Sequence, residues 1–181
     1  RERPRQPTAL AADGDGGVGI GGSLGQFRGA EVVVTLPDGS ELGRAVVDAL
    51  NGMVTVRPGR TYSGPLLIEV RGAAGATYFD EGRRQRVPFP AGEVLRARVP
   101  VVRGNIGVTT VTEAAARFQD ASPASGDLAS QIKRALDTSA GEFNQYAPAG
   151  YDIDDPTRLP VLLNDTSGRG SAPNTSAGRY A

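Results

Sequence analysis

Histidine, cysteine and tryptophan are all absent from the 181 residues, and each absence closes a class of chemistry. Without Cys there is no thiolate nucleophile, zinc ribbon, iron–sulfur cluster or redox pair. Without His there is no imidazole base and no imidazole metal ligand. Disulfides are excluded too, and a chain of 18.8 kDa is long enough to bury a core without them. The lack of Trp, beside only five Phe and five Tyr, leaves few aromatic platforms for a sugar ring. Carboxylates, hydroxyls, one lysine and the backbone remain, so the composition points to no enzyme and to no cofactor.

A charge of one sign is missing as well. Twenty basic and twenty acidic residues cancel, and no basic stripe runs along the chain, which argues against nucleic acid as a partner. Nineteen of the basic residues are Arg and one is Lys133, a bias that fits a GC-rich genome. The longest apolar runs, residues 31–36 and 64–70, are far shorter than the roughly 20 residues that span a bilayer, so no membrane span is expected. The chain starts at Arg1 without Met and shows no leader of its own. Removal of an upstream signal is one expectation and a starting point inside a longer protein is the other. Complete absence of Cys suits an exported bacterial protein.

What is present divides into four stretches. Residues 1–26 hold Gly14, Gly16, Gly17, Gly19, Gly21, Gly22 and Gly25, with Leu10, Val18, Ile20 and Leu24 as the sizeable apolar groups. Such a stretch loses too much backbone entropy to fold alone and reads as an arm. Residues 27–107 carry short β-rich runs at 31–36, 41–48, 53–57, 64–72, 76–80 and 94–102. Pro37-Asp-Gly39 and Asn51-Gly52 are hairpin signals between them. Six or seven such strands predict a mostly β fold with some α, an antiparallel sandwich of the immunoglobulin or transthyretin kind. Residues 108–163 change period. Thr hydroxyls and Glu113 mark a helix start near residue 109, and Asp127 caps a second amphipathic helix through Leu128, Ile132, Leu136 and Phe143 that ends before Ala147-Pro148. Residues 164–181 are a Ser, Gly and Thr-rich tail.

Several motifs match catalytic patterns in letters only. Gly17-Val-Gly19-Ile-Gly21-Gly22 satisfies G-x-G-x-x-G, but it follows no buried strand and opens onto no helix. Gly21-Gly-Ser23-Leu-Gly25 satisfies G-x-S-x-G without a histidine to serve the serine. Asp152, Asp154 and Asp155 gather carboxylates of the type a calcium ion takes, although they do not match the twelve-residue calcium loop, and solvated turn and cap roles compete. Asn164-Asp-Thr166 and Asn174-Thr-Ser176 are formal glycosylation sequons.

The order of several short motifs resembles a known type of module. Gly29-Ala30-x-Val-x-Val, Asp38-Gly39-x-x-Leu42-Gly43-x-Ala45, Gly64-Pro-Leu-Leu-Ile-Glu-Val-Arg-Gly72, Thr77-Tyr-Phe-Asp-Glu81, Leu95-Arg-Ala97 and Val108-Thr-Thr-Val-Thr-Glu-Ala-Ala-Ala-Arg117 are similar to transthyretin-like or carboxypeptidase-regulatory-like β-sandwich modules of exported Gram-negative surface proteins. In those an Ala-rich helical segment follows the sandwich. The resemblance covers residues 27–163 and implies a non-enzymatic surface or extracellular protein with no catalytic residues to carry over.

Together these readings predict a secreted structural subunit that polymerises with itself into a filament, sheath or matrix fibre. A side-chain-poor terminal arm would add as a strand to the next copy. Val18, Ile20 and Leu24 are the expected contact residues, with Val161, Leu162 and Leu163 as the second set. A monomeric carbohydrate- or surface-binding module of a larger adhesin is the alternative, with its site on the sandwich loops. A metal-dependent hydrolase built on Asp152, Asp154 and Asp155 is the third.

Overall fold

The computed structural model describes residues 18–23, 26–48, 53–58, 62–147 and 153–158. Among these residues there are ten strands and two helices, so the fold is mostly β. The strands are β1 (Val18–Ser23), β2 (Phe27–Arg28), β3 (Glu31–Thr35), β4 (Glu41–Val46), β5 (Met53–Val56), β6 (Leu66–Arg71), β7 (Thr77–Asp80), β8 (Gln85–Pro88), β9 (Val94–Val99) and β10 (Asn105–Thr109). Helices α1 (Thr110–Ala121) and α2 (Leu128–Tyr146) follow.

Three sheets form, in the orders β4-β3-β6-β9, β10-β1-β5 and β2-β7-β8. The four-stranded sheet is antiparallel throughout. Its alternation is the kind expected of a sheet with one dry face: Leu66, Ile68 and Val70 of β6 and Leu95, Ala97 and Val99 of β9 are buried, while the residues between them are half-buried. One apolar cluster draws on all three sheets, joining Val32, Val34, Ile68 and Val70 to Val18, Ile20, Val56, Ile106 and Val108, and to Phe27, Ala76 and Phe89. The ring of Phe27 meets Phe89 edge-on at 4.9 Å between centroids, a favoured aromatic geometry.

The turn at residues 37–39 closes β3 onto β4, held by the Leu36 N–H to Ser40 O and Gly39 N–H to Leu36 O bonds, both 2.9 Å. The Asn51-Gly52 expectation turns out differently. β4 pairs with β3, whereas β5 pairs with β1 in another sheet, so the chain crosses between sheets there instead of closing a hairpin. Residues 51 and 52 themselves lie outside the described residues. A two-residue turn preference is local and weak beside the burial of Val56 in the core next to β1.

Both helix starts fall where the sequence places them. Thr109 is the N-cap of α1, its Oγ1 accepting from the Val111 and Thr112 N–H groups at 3.1 and 3.2 Å, while Thr112 Oγ1 accepts from Thr109 N–H. Asp127 caps α2 by accepting from Ser130 N–H at 2.8 Å, and Ala147 ends it. Thr109 is also the last residue of β10 and is buried, so one hydroxyl serves the strand-to-helix junction. Thr109→Ala is expected to lower the unfolding free energy by about 1 kcal/mol, readable from the denaturant midpoint at an unchanged slope.

Candidate functional site

Two arrangements stand out: a glycine-rich strand held in the middle of a sheet, and a charged clasp that fixes α1 over a sheet edge. The first concerns residues 18–23, expected in a terminal arm. They form β1, parallel to β10 on one side and antiparallel to β5 on the other. The hydrophobic effect explains the placement. Val18 and Ile20 point into the shared core and are fully buried, each contributing about 1.5–3 kcal/mol of apolar burial. The strand's glycines leave room: a Cβ on Gly22, two residues past Ile20, would lie 2.5 Å from Cδ2 of the Phe27 ring. The same glycine content that suggests an arm is what lets the strand pass under the aromatic cluster.

The second arrangement sits at the β9 margin. Arg96 and Arg98 alternate with the core residues of β9 and so project from its other face. Arg96 donates from Nε to Glu113 Oε1 at 3.0 Å and from Nη2 to Oε2 at 2.8 Å, and its Nη1 reaches Asp120 Oδ2 at 2.9 Å. Arg98 Nη1 donates to Asp120 Oδ1 at 2.7 Å and to Gln119 Oε1 at 3.1 Å. Arg117 adds a second cation on Glu113, at 2.9 Å. The backbone of the strand is engaged too: Arg96 N–H donates to Glu113 Oε1 at 3.1 Å, and Arg96 C=O accepts from Thr112 Oγ1 at 2.8 Å. A sheet edge normally presents such groups to a partner strand; here a helix takes them.

Electrostatics follow from this geometry. Burial disfavours the charged form of Glu113, but the hydrogen bonds from Arg96 and Arg117 outweigh it and hold the carboxyl below its usual range. Asp120 is held low chiefly by its hydrogen bond from Arg98, and then from Arg96. The Arg96 guanidinium is pushed up, first by its bond to Glu113. A carboxyl whose folded value is depressed contributes stability above its unfolded value, near about 4, and loses it as pH falls through the folded one. Glu113→Gln should therefore cost about 2 kcal/mol at neutral pH. The gap between variant and parent should narrow as pH falls through the folded value of Glu113, which lies below its unfolded one. Denaturant titrations across that range check it.

A second margin is β10. Gly107 N–H donates to Thr157 O at 2.7 Å, so the segment returning from α2 lies along this strand. Asp155 holds that segment: it accepts from Thr157 N–H at 2.9 Å and Oγ1 at 2.6 Å, and pairs with Arg103. Burial raises its pKa, but these hydrogen bonds prevail and keep the carboxyl below the usual value. Of the calcium candidates, Asp155 is thus engaged in a turn and an ion pair, Asp154 is exposed, and Asp152 lies outside the described residues. Among the described residues no three acidic groups gather where a metal ion could sit.

Leu24, Val161, Leu162 and Leu163 also lie outside the described residues. Lys133 pairs with Asp137 on the surface of α2, an ordinary solvated role. Among the described residues no helix is long and apolar enough to cross a membrane. The residues that sequence reasoning missed are Arg96, Arg98 and Asp120. Their signal was present in part, since two arginines at i and i+2 on the non-core face of a strand ask for acidic partners.

What these features define is a class of fold: a mostly β chain with three sheets around a shared core and two helices clasped at one edge. Set against family models, characterised proteins and solved structures, the chain matches none of them.

Proposed function

We propose that this chain is a non-catalytic structural subunit of an extracellular bacterial filament, sheath or matrix fibre, and that copies join by strand addition through β1. We read the four-stranded sheet and the β10-β1-β5 sheet as the facing layers of an immunoglobulin- or transthyretin-like sandwich, with β1 as the strand that completes it. The observation carrying this reading is the position of β1. It is the first described strand, it lies between two others, and it supplies Val18 and Ile20 to the core. A strand in that place satisfies the same hydrogen bonds and fills the same pockets whether it comes from its own chain or a neighbour's. Only residues 24–26 separate β1 from β2, and a short hinge is a place where an element can be exchanged between copies.

Light scattering and negative-stain microscopy of the purified chain test this. Polymers many times the 18.8 kDa of one chain, indifferent to EDTA, are expected; a monomer at every concentration would refute the assembly.

A second reading, a monomeric carbohydrate- or surface-binding module, is favoured by one feature, which lies on the helices and not on the sandwich loops expected from the sequence. Between α1 and α2 lies an open groove of about 260 Å³ lined by Thr110, Val111, Ser139, Glu142, Phe143 and Tyr146. Tyr146 is 87% exposed, and an aromatic face beside hydroxyls and a carboxylate suits a sugar. On this reading a monomer is retained on a glycan column and Tyr146→Ala abolishes retention.

A further inference from the structure

The helical pair touches the sheets in an unusual way. Its apolar cluster, Ala115, Ile132, Ala135 and Leu136 with Leu128 beside it, is separate from the cluster that unites the sheets. α2 is tied to α1, through that cluster and through the Ser139 Oγ to Val111 O bond at 2.8 Å. Against β9, however, α1 presents Thr112, Glu113, Gln119 and Asp120, and it is the hydrogen bonds and ion pairs from Arg96 and Arg98 that hold it there. Both ends of the pair join the sheets at a single strand. The chain leaves β10 at Thr109 and returns to it where Gly107 N–H bonds Thr157 O. One side of the helical unit is therefore hinged on β10 and the other is latched on β9 by polar contacts.

We infer that α1 and α2 form a latched cover that opens from the β9 edge as a unit while the three sheets stay folded. Opening frees the Arg96 N–H and C=O from Glu113 and Thr112 and bares a six-residue edge strand, Val94–Val99, the feature that recruits another extended chain. The reasons are energetic. Detachment exposes modest apolar surface: the buried face of α1 is Val111, Ala115 and Ala116 beside polar residues, and α2, which also touches β9, keeps Ile132, Ala135 and Leu136 in its cluster with Ala115 of α1. Local opening below the global unfolding free energy is a property of elements with few buried apolar contacts. Once detached, α1, at 12 residues, is marginal in water, and its fraying removes the apolar partner of α2, so the amides of both report the opening. The inference does not depend on the assembly reading, since it concerns a single chain.

Native-state hydrogen exchange on the full chain tests it, comparing the parent with Glu113→Gln at one pH. In the parent, Arg96 and the amides of α1 and α2 should exchange through an opening that lies well below the one exposing β1, β3 and β6, and Glu113→Gln should raise exchange at Arg96 and through the helices by roughly thirtyfold, the size set by losing a charge-assisted hydrogen bond. Asp120→Asn, which loosens the outer part of the same latch, should act in the same direction and serves if the first variant does not fold. Arg44→Gln, which breaks the surface pairs with Glu31 and Glu41 at the β4 margin, should leave the helices unchanged. Helices and strands that exchange in the parent at one common opening free energy would show one cooperative unit and overturn the inference. So would helices whose exchange ignores Glu113 and Asp120.

Discussion

A chain lacking residues 1–23 is expected to lose its fold, and a synthetic peptide of residues 16–26, added in trans, to restore it. The expectation rests on where β1 sits. Removing it leaves β10 and β5 without the strand between them and takes Val18 and Ile20, exposed by 1% and 0%, out of the core. Even truncating one of these side chains is costly: Ile20→Ala should lower the unfolding free energy by about 3–4 kcal/mol through lost burial and the cavity left behind, a large part of the total stability of a domain this size. The peptide carries the same apolar pair and the same backbone groups, so it refills the gap without a covalent link. Circular dichroism and a thermal melt of the truncated chain, with and without peptide, read the result. A truncated chain that melts like the parent would show that β1 is dispensable. One that stays unfolded with peptide present would show that the strand works only when tethered.

The second large effect belongs to Gly72, just past the end of β6. Its N–H donates to Glu93 O at 2.8 Å, and a Cβ placed on it would lie 1.9 Å from Pro90 O and 2.7 Å from Phe89 O. These are backbone atoms, so no rotamer change relieves the overlap. The segment around Phe89, whose ring packs in the Phe27 cluster, would have to move away from the sheet. Gly72→Ala is therefore expected to destabilise by about 3 kcal/mol or more, at the upper end of overpacking costs. A matched change at Gly104, where an added Cβ meets nothing within 4 Å, should cost much less. Comparable losses at both positions would contradict the packing described here.

How much of this was legible in the sequence depended on the range of the interaction. Alternation along β6 and β9 reads directly, because period-two burial is local. The two caps, Thr109 and Asp127, read equally well, since a cap and its recipients lie within three residues of each other. Residues 18–23 read only in part, for a physical reason: seven glycines in the first 26 residues signal entropy cost, and the ring of Phe27 and the gap between β5 and β10 explain why glycine is wanted in the strand they form. Asn51-Gly52 misled because turn chemistry says nothing about which sheet the next strand joins. Glu113 reads from the sequence as a mark of the helix start. That is true of its position but not of its larger role, which needs Arg96 from 17 residues earlier. Asp155 shows the same limit, since its partner Arg103 is 52 residues away.

The central claim, that β1 passes between copies, is tested most directly by placing its pairing partners on different chains. The native sequence has no cysteine, so introduced thiols report only on themselves. Gly19 faces Thr55 across β1 and β5. Gly19→Cys and Thr55→Cys variants, made separately, would be unfolded, mixed, refolded together and oxidised. Disulfide-linked pairs of unlike chains, absent when either variant is treated alone or when the two are mixed already folded, are the result predicted. If the mixture yields no such pairs while a chain bearing both cysteines closes its own bridge, β1 stays with its own chain and strand addition through it is wrong.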